Sequence, residues 1–181
     1  IAKSVVSDFV DPDHLESWLH KNDSRLRAII HMGAISATTE TDGDLILKRN
    51  FGPTRMLWRF ATENATPFIF ASSAATYGDG GAGFDDDENE AALAKLQPLN
   101  LYGWSKHAID KFIAREIARG ATTPPQWAGL KFFNVYGPNE YHKGSMKSVI
   151  AQSYPKIAAG EAVTLFKSHN PDYEDGGQLR D

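Results

Sequence analysis

Tyr102 and Lys106 stand four apart in the run NLYGWSKHAIDKF. On a helix, that spacing puts both side chains on one face. A phenol has an ordinary pKa of about 10 and is a poor base near neutrality, but an ammonium beside it favours the phenolate. Such a pair can pass a proton to or from a sugar hydroxyl while a hydride moves elsewhere. A Tyr–Lys pair at this spacing is also common surface decoration, so its neighbours decide the reading. Upstream, FIFASSAATYG brings an apolar run to a serine cluster. Ser73 is placed there to hydrogen-bond a substrate oxygen, or to serve as a helix cap or turn former. Downstream, KFFNVYGP ends an apolar run at Asn134, just before Tyr136, Gly137 and Pro138. Asn134 is either a polar group at the same site or an Asx-turn residue.

These residues need a scaffold, and the hydrophobic pattern supplies one. Periods of two and of 3.6 residues alternate, without an internal repeat. The pattern predicts strands at 4–9, 26–31, 68–72, 127–135 and 162–166. It predicts helices at 11–19 (after an acidic, proline-containing turn), 51–64, 101–119 and 145–159. Residues 78–95 read as a loop, with GDGGAG followed by the solvated acidic run DDDENE. That run lacks the oxygen-ligand spacing of a calcium loop. Apolar strands alternating with helices imply a doubly wound parallel sheet of the α/β class, with ligands at strand ends that open into small-residue loops.

Composition narrows the function classes. The chain has 181 residues, 41% of them apolar, enough for one domain with a core. It has no cysteine, which excludes disulfides, thiolate metal sites and cysteine nucleophiles and fits a reducing, cytoplasmic setting. A net charge of -4 gives no footprint for nucleic acid. No apolar run approaches a membrane span. The histidines, including His31, His107 and His142, show no metal-ligand spacing, so no metal is expected.

Serine, YxxxK and a following FNVYGP together resemble the extended short-chain dehydrogenase/reductases that act on nucleotide sugars. The resemblance runs from Asp8 to Asp181 and implies a Rossmann-like domain over 1–140 with part of a substrate-binding region over 141–181. It implies Tyr102 as acid/base, Ser73 as the group orienting the substrate oxygen, and Lys106 as the residue holding the nicotinamide ribose and tuning Tyr102. It further implies cofactor contacts from Asp8 (adenine), from the turn Met32, Gly33, Ala34, Ile35 and Ser36, from Asn50 and from Val135. The cofactor implied is NADP or NAD.

Two further runs, ISATTETDGD and NEYHKGSMKSV, are similar to the ADP-heptose branch of these epimerases. That branch implies inversion at carbon 6 of the heptose by transient oxidation, for lipopolysaccharide synthesis. Lys143, otherwise a phosphate binder or a solvated lysine, is implied as a second acid/base beside the cofactor. Ser145, Phe166, Lys167, Ser168 and Arg180 map to substrate positions, with Arg180 suited to a diphosphate or to an ordinary ion pair. The resemblance also implies a homo-oligomer.

The chain departs from the family pattern in two places. Residues 79–97 form a longer and more acidic loop. The glycine-rich turn that cradles a pyrophosphate ahead of this segment does not occur, since GDGGAG lies mid-chain after SSAATY and does not open a helix after a first strand. The chain starts at Ile1 without methionine, and both ends read as truncated. Rival readings are another nucleotide-sugar epimerase or dehydratase, and a non-catalytic dinucleotide-sensing domain. Dehydratases place acidic residues after the serine, where this chain has Ala74 and Ala75. Sensing domains commonly lose the tyrosine or lysine, and both are kept.

Overall fold

The computed structural model of the chain describes residues 6–23, 26–165, 167–168 and 171–177, with the side chains of residues 145 and 146 outside the description. It divides into two compact units, 1–130 and 131–181.

The first unit is built on a three-stranded sheet in the order β1 (Ile29–His31), β2 (Phe68–Ser73), β3 (Trp127–Phe132), the unit boundary falling after Leu130 of β3. β1 and β2 run parallel, with Ile29 beside Phe68 and His31 beside Phe70. Side chains alternate across a strand, so Phe68 and Phe70 share a face. They stack at 5.5 Å and are buried with Trp58, Leu57, Phe60 and Ala61 of α3 (Gly52–Glu63), and with Ile109 and Ile113 of α5 (Leu101–Ala118). Trp58 meets the rings of Phe68 and Trp127 edge-on. Leu19 of α1 (Leu15–Asn22) closes this core. On the opposite face, Ile30 and Ile69 are neighbours in register and stay 67% and 37% exposed.

Several boundaries differ from the sequence reading, each for a local reason. Residues 6–10 form no strand, and residues 1–5 lie outside the described residues. β1 is confined to Ile29–His31 and β3 stops at Phe132. The helix expected from 51 begins at Gly43, because the Asp42 carboxylate caps it by accepting from Leu45 N at 2.9 Å. It runs as α2 (Gly43–Ile46), a π-turn (Leu47–Phe51) and then α3. Pro53 has no N–H to give and crowds the carbonyl four residues back. The wider π-turn, with Gly52 N–H donating to Leu47 O, absorbs that defect.

The acidic loop contains α4 (Glu90–Leu93), capped by Asn89, which buries Leu93. The loop leaves and returns at one point. Gly78 has φ +67°, and a Cβ there would run into Gln97 O.

In the second unit, α6 (Val149–Ala158) starts later than expected. Ser148 caps it, and the preceding 3-10 segment Glu140–Met146 is kinked at Gly144, φ 54°. Residues 162–165 form no strand, and Phe166 lies outside the described residues.

Candidate active site

α5 carries the predicted Tyr–Lys pair, and its local sequence explains how. Asn100 caps it, its side-chain oxygen accepting from Gly103 N at 2.8 Å, which starts the helix at Leu101, one residue before Tyr102. Gly103 is required by packing. A Cβ there would lie 2.6 Å from Ala75 O, inside contact distance, so only glycine lets α5 lie against the 3-10 turn Ala74–Tyr77. Lys106, one turn on, is 3% exposed and donates from Nζ to Ala71 O at 2.7 Å. Its Nζ lies 5.9 Å from the centroid of the Tyr102 ring. Ser73 is 7% exposed and its Oγ accepts from Ala75 N at 3.1 Å. The end of β2 and this stretch of α5 thus bring together the three residues of the expected triad. Burial pushes the Lys106 ammonium down to about 8, and the Asp110 carboxylate opposes that push.

A second layer of buried polar groups joins the turn after β1 to this helix. Asn50, 2% exposed, sits in the π-turn. Its Oδ1 accepts from Ile35 N at 2.8 Å, and its Nδ2 donates to Ile35 O and to Ser105 Oγ, both at 3.0 Å. Ser105, 1% exposed, donates to Tyr102 O at 2.7 Å. Thr54 Oγ1 donates to Asn50 O at 2.7 Å, which uses its single proton. The 3.0 Å contact between His31 Nε2 and Thr54 Oγ1 must therefore carry the histidine's proton. Burial, and then the Lys106 charge, hold His31 down at about 4, so at neutral pH the ring is uncharged with its proton on Nε2. Sequence reasoning named Asn50 through the family resemblance and His31 only as a histidine without metal-ligand spacing, and it did not single out Ser105 or Thr54. The signal was available in the four-residue step from Asn50 to Thr54 on one helix face.

The turn Met32–Ser36 lies outside any helix or strand and is open at Met32 (52% exposed). A Cβ on Gly33 would find only His31 Cε1, at 3.7 Å. A small-residue ledge with an ammonium at Lys106 fits one half of a dinucleotide: flat rings can lie on the ledge, and the ammonium can meet a ribose hydroxyl. Asp8 is exposed. Its carboxylate accepts from Phe9 N at 2.8 Å and from Trp18 Nε1 at 3.1 Å, which fixes its direction.

The second unit holds the other expected residues. Asn134 and Val135 are exposed after β3. Lys143 Nζ lies 3.7 Å from Glu140 Oε2. Glu140 is buried, and its carboxylate accepts from Gly137 N (2.9 Å), Ser148 N (2.7 Å) and Ser148 Oγ (2.9 Å). The amide donors of Ser148 and Gly137 draw it down to about 2. Lys167 is exposed, and Ser168 N donates to Asp175 Oδ1. The Ser145 side chain, Phe166 and Arg180 lie outside the described residues.

A parallel α/β sheet with a serine, tyrosine and lysine gathered at a strand end defines a class, and sequence comparison names it. The chain belongs to the NAD dependent epimerase/dehydratase family, whose sequence profile matches residues 3–181. It is 48% identical, over its whole length and 54% of the relative's, to the ADP-L-glycero-D-manno-heptose-6-epimerase of Fusobacterium nucleatum. It is 51% identical, over 85% of this chain and 46% of the relative, to the enzyme of the same name from Nitratidesulfovibrio vulgaris. The crystal structure of the Helicobacter pylori enzyme of that name is 28% identical, with a TM-score of 0.69 over 87% of this chain and 47% of that one. MoeE5 in complex with UDP-glucose and NAD shares the fold, at 22% identity and a TM-score of 0.60 over 89% of this chain and 50% of that one. The chain spans about half the length of the curated relatives it matches.

Proposed function

We propose that the protein carrying this chain is an ADP-L-glycero-D-manno-heptose 6-epimerase, inverting carbon 6 of ADP-D-glycero-D-manno-heptose. The observation that carries this reading is the gathering of Ser73, Tyr102 and Lys106 at one strand end, in a chain 48% identical along its whole length to a relative of that name. Met32, Gly33, Ala34, Ile35, Ser36, Asn50, Lys106 and Asp8 would hold a nicotinamide dinucleotide, NADP or NAD, and the family resemblance adds Val135 and Lys143 to its contacts. When bound, that group supplies a reversible hydride acceptor.

The chain's own residues handle the proton and the substrate. Tyr102 takes the proton of the carbon-6 hydroxyl as the carbon is oxidised. Ser73, with an oxygen lone pair already accepting from Ala75 N, offers its O–H to the same substrate oxygen. Inversion needs the intermediate to receive hydride on its other face, so a proton must also be returned from a different place. Lys143 is that second carrier. Asn134, Ser145, Phe166, Lys167, Ser168 and Arg180 would contact the sugar nucleotide. Epimerisation rather than dehydration is favoured by Ala74 and Ala75, the residues that follow Ser73. Dehydratases carry acidic residues directly after the serine, and the two methyl side chains at Ala74 and Ala75 offer no carboxyl group there.

The test is direct. The protein is denatured to identify any released cofactor, and the native protein is incubated with the ADP-heptose while NMR follows its carbon-6 epimer. Epimer formation that collapses in Tyr102→Phe supports the reading. Bound cofactor with no epimer would move the substrate to another nucleotide sugar. Neither cofactor nor turnover would leave a non-catalytic domain.

A further inference from the structure

Gly103, Lys106 and Asp110 occupy one face of α5 at intervals of three and four residues. Each meets the end of β2 or the turn after it. Gly103 abuts Ala75 O, Lys106 Nζ donates to Ala71 O at 2.7 Å, and Asp110 Oδ2 accepts from Ser72 Oγ at 2.9 Å. Ser72 is 2% exposed and immediately precedes Ser73.

A buried ammonium needs more than one carbonyl dipole to remain charged. On its own helix Lys106 has the Tyr102 ring on one side and Asp110 one turn along on the other. From β1 it is faced by His31, which is neutral, and from β2 by the Ala71 carbonyl. Asp110 is faced by Ser72 and by Tyr77, a phenol that burial, Asp86 and Asp110 itself push up. Among these described groups, Asp110 is the anion acting on Lys106.

We propose that Asp110 is the positioning residue of the Tyr102–Lys106 pair: it balances the lysine's charge from one turn along α5, and through Ser72 it fastens α5 to the strand end that presents Ser73. The catalytic meaning of this role rests on the epimerase reading, but the role itself does not. The two contributions separate by mutation. Asp110→Asn keeps an oxygen for Ser72 and removes the charge. Ser72→Ala keeps the charge and removes the tether.

The experiment labels lysine with 13C at Cε in the whole protein, assigns Lys106 by the signal lost in Lys106→Met, and follows its titration by NMR. The Lys106 midpoint falls by about one pH unit or more in Asp110→Asn and stays within about half a unit in Ser72→Ala. An unmoved midpoint in Asp110→Asn, or equal movement in both variants, overturns the proposal. Should the asparagine variant not fold, Asp110→Glu takes its place. With its charge retained, it must hold the midpoint within about half a unit, and a clear fall overturns the proposal. Turnover of the ADP-heptose is measured on the same samples. A titration that moves as expected without turnover keeps this inference and sinks the epimerase reading. Turnover with an unmoved titration does the reverse.

Discussion

The two units organise their polar residues by opposite means. In the first, aromatic and aliphatic packing comes first, with Trp58, Phe68, Phe70, Ile109 and Ile113 all buried. Polar groups are then inserted where the packed elements meet: Asn50, Ser105, Lys106 and Ser72 are each no more than 3% exposed and each is hydrogen-bonded. In the second unit, Glu140 is the one buried residue among those described, and α6 has no buried residue. One carboxylate gathers two backbone N–H groups, a hydroxyl and Lys143 there, and Tyr141 and Tyr154 stand 83% and 71% exposed. A core holds a site against any change of pH that leaves the core intact, whereas a charge holds it only while it stays ionised.

The largest effect that sharpens this contrast is on rate. On the proposed function, Tyr102→Phe lowers turnover of the ADP-heptose about 10²–10⁴-fold while leaving the urea midpoint in place, because the phenolic oxygen has no part in the core. Asn50→Ala strikes the buried network. It strands Ile35 N–H and frees Ser105, and chemical denaturation should show a loss of about 3 kcal/mol. Gly103→Ala forces α5 off Ala75 O and costs about 1–3 kcal/mol, with turnover falling further than stability because the Tyr–Lys pair moves with the helix.

Smaller effects depend on pH. His31 titrates lower in the fold than when unfolded, so its neutral form adds stability that is fully present above about 6.5 and is lost as pH falls toward about 4. His31→Gln should flatten the fall in urea midpoint across that window. The smallest effect is local to the second unit. Glu140 titrates low in the fold, so its hold is complete above about 4.5 and is lost as pH falls toward about 2. Glu140→Gln should speed hydrogen exchange at the Gly137 and Ser148 amides while first-unit amides keep their protection. Faster exchange in both units alike would break the comparison.

The sequence revealed much of the first unit because its signals are periodic or local. Apolar runs marked β2 and α5, and the Tyr102–Lys106 step marked the helix face. What it missed is mostly partnership across elements. Nothing in SerSer followed far downstream by Asp says that Ser72 meets Asp110, although Asp110 stands one helical turn past Lys106 and was visible as such. The helix start at Gly43 was hidden because Pro53 reads as a beginning, and only the π-turn lets the chain pass through it. In the second unit the helix was expected four residues too early and a strand was expected at 162–165 where none forms, because its order comes from Glu140, and a lone glutamate carries no pattern.

The acidic excursion after Gly78 has a consequence for how this chain can change. Its two ends meet where Gly78 passes against Gln97 O, on the far side of the Ala74–Tyr77 turn from Ser73. A loop whose ends are already pinned together can lengthen or shorten at little entropic cost. The exposed stretch 85–88, ahead of α4 and its buried Leu93, is therefore a natural insertion point, where a tag or a foreign segment could be spliced while the turn beneath it keeps its shape.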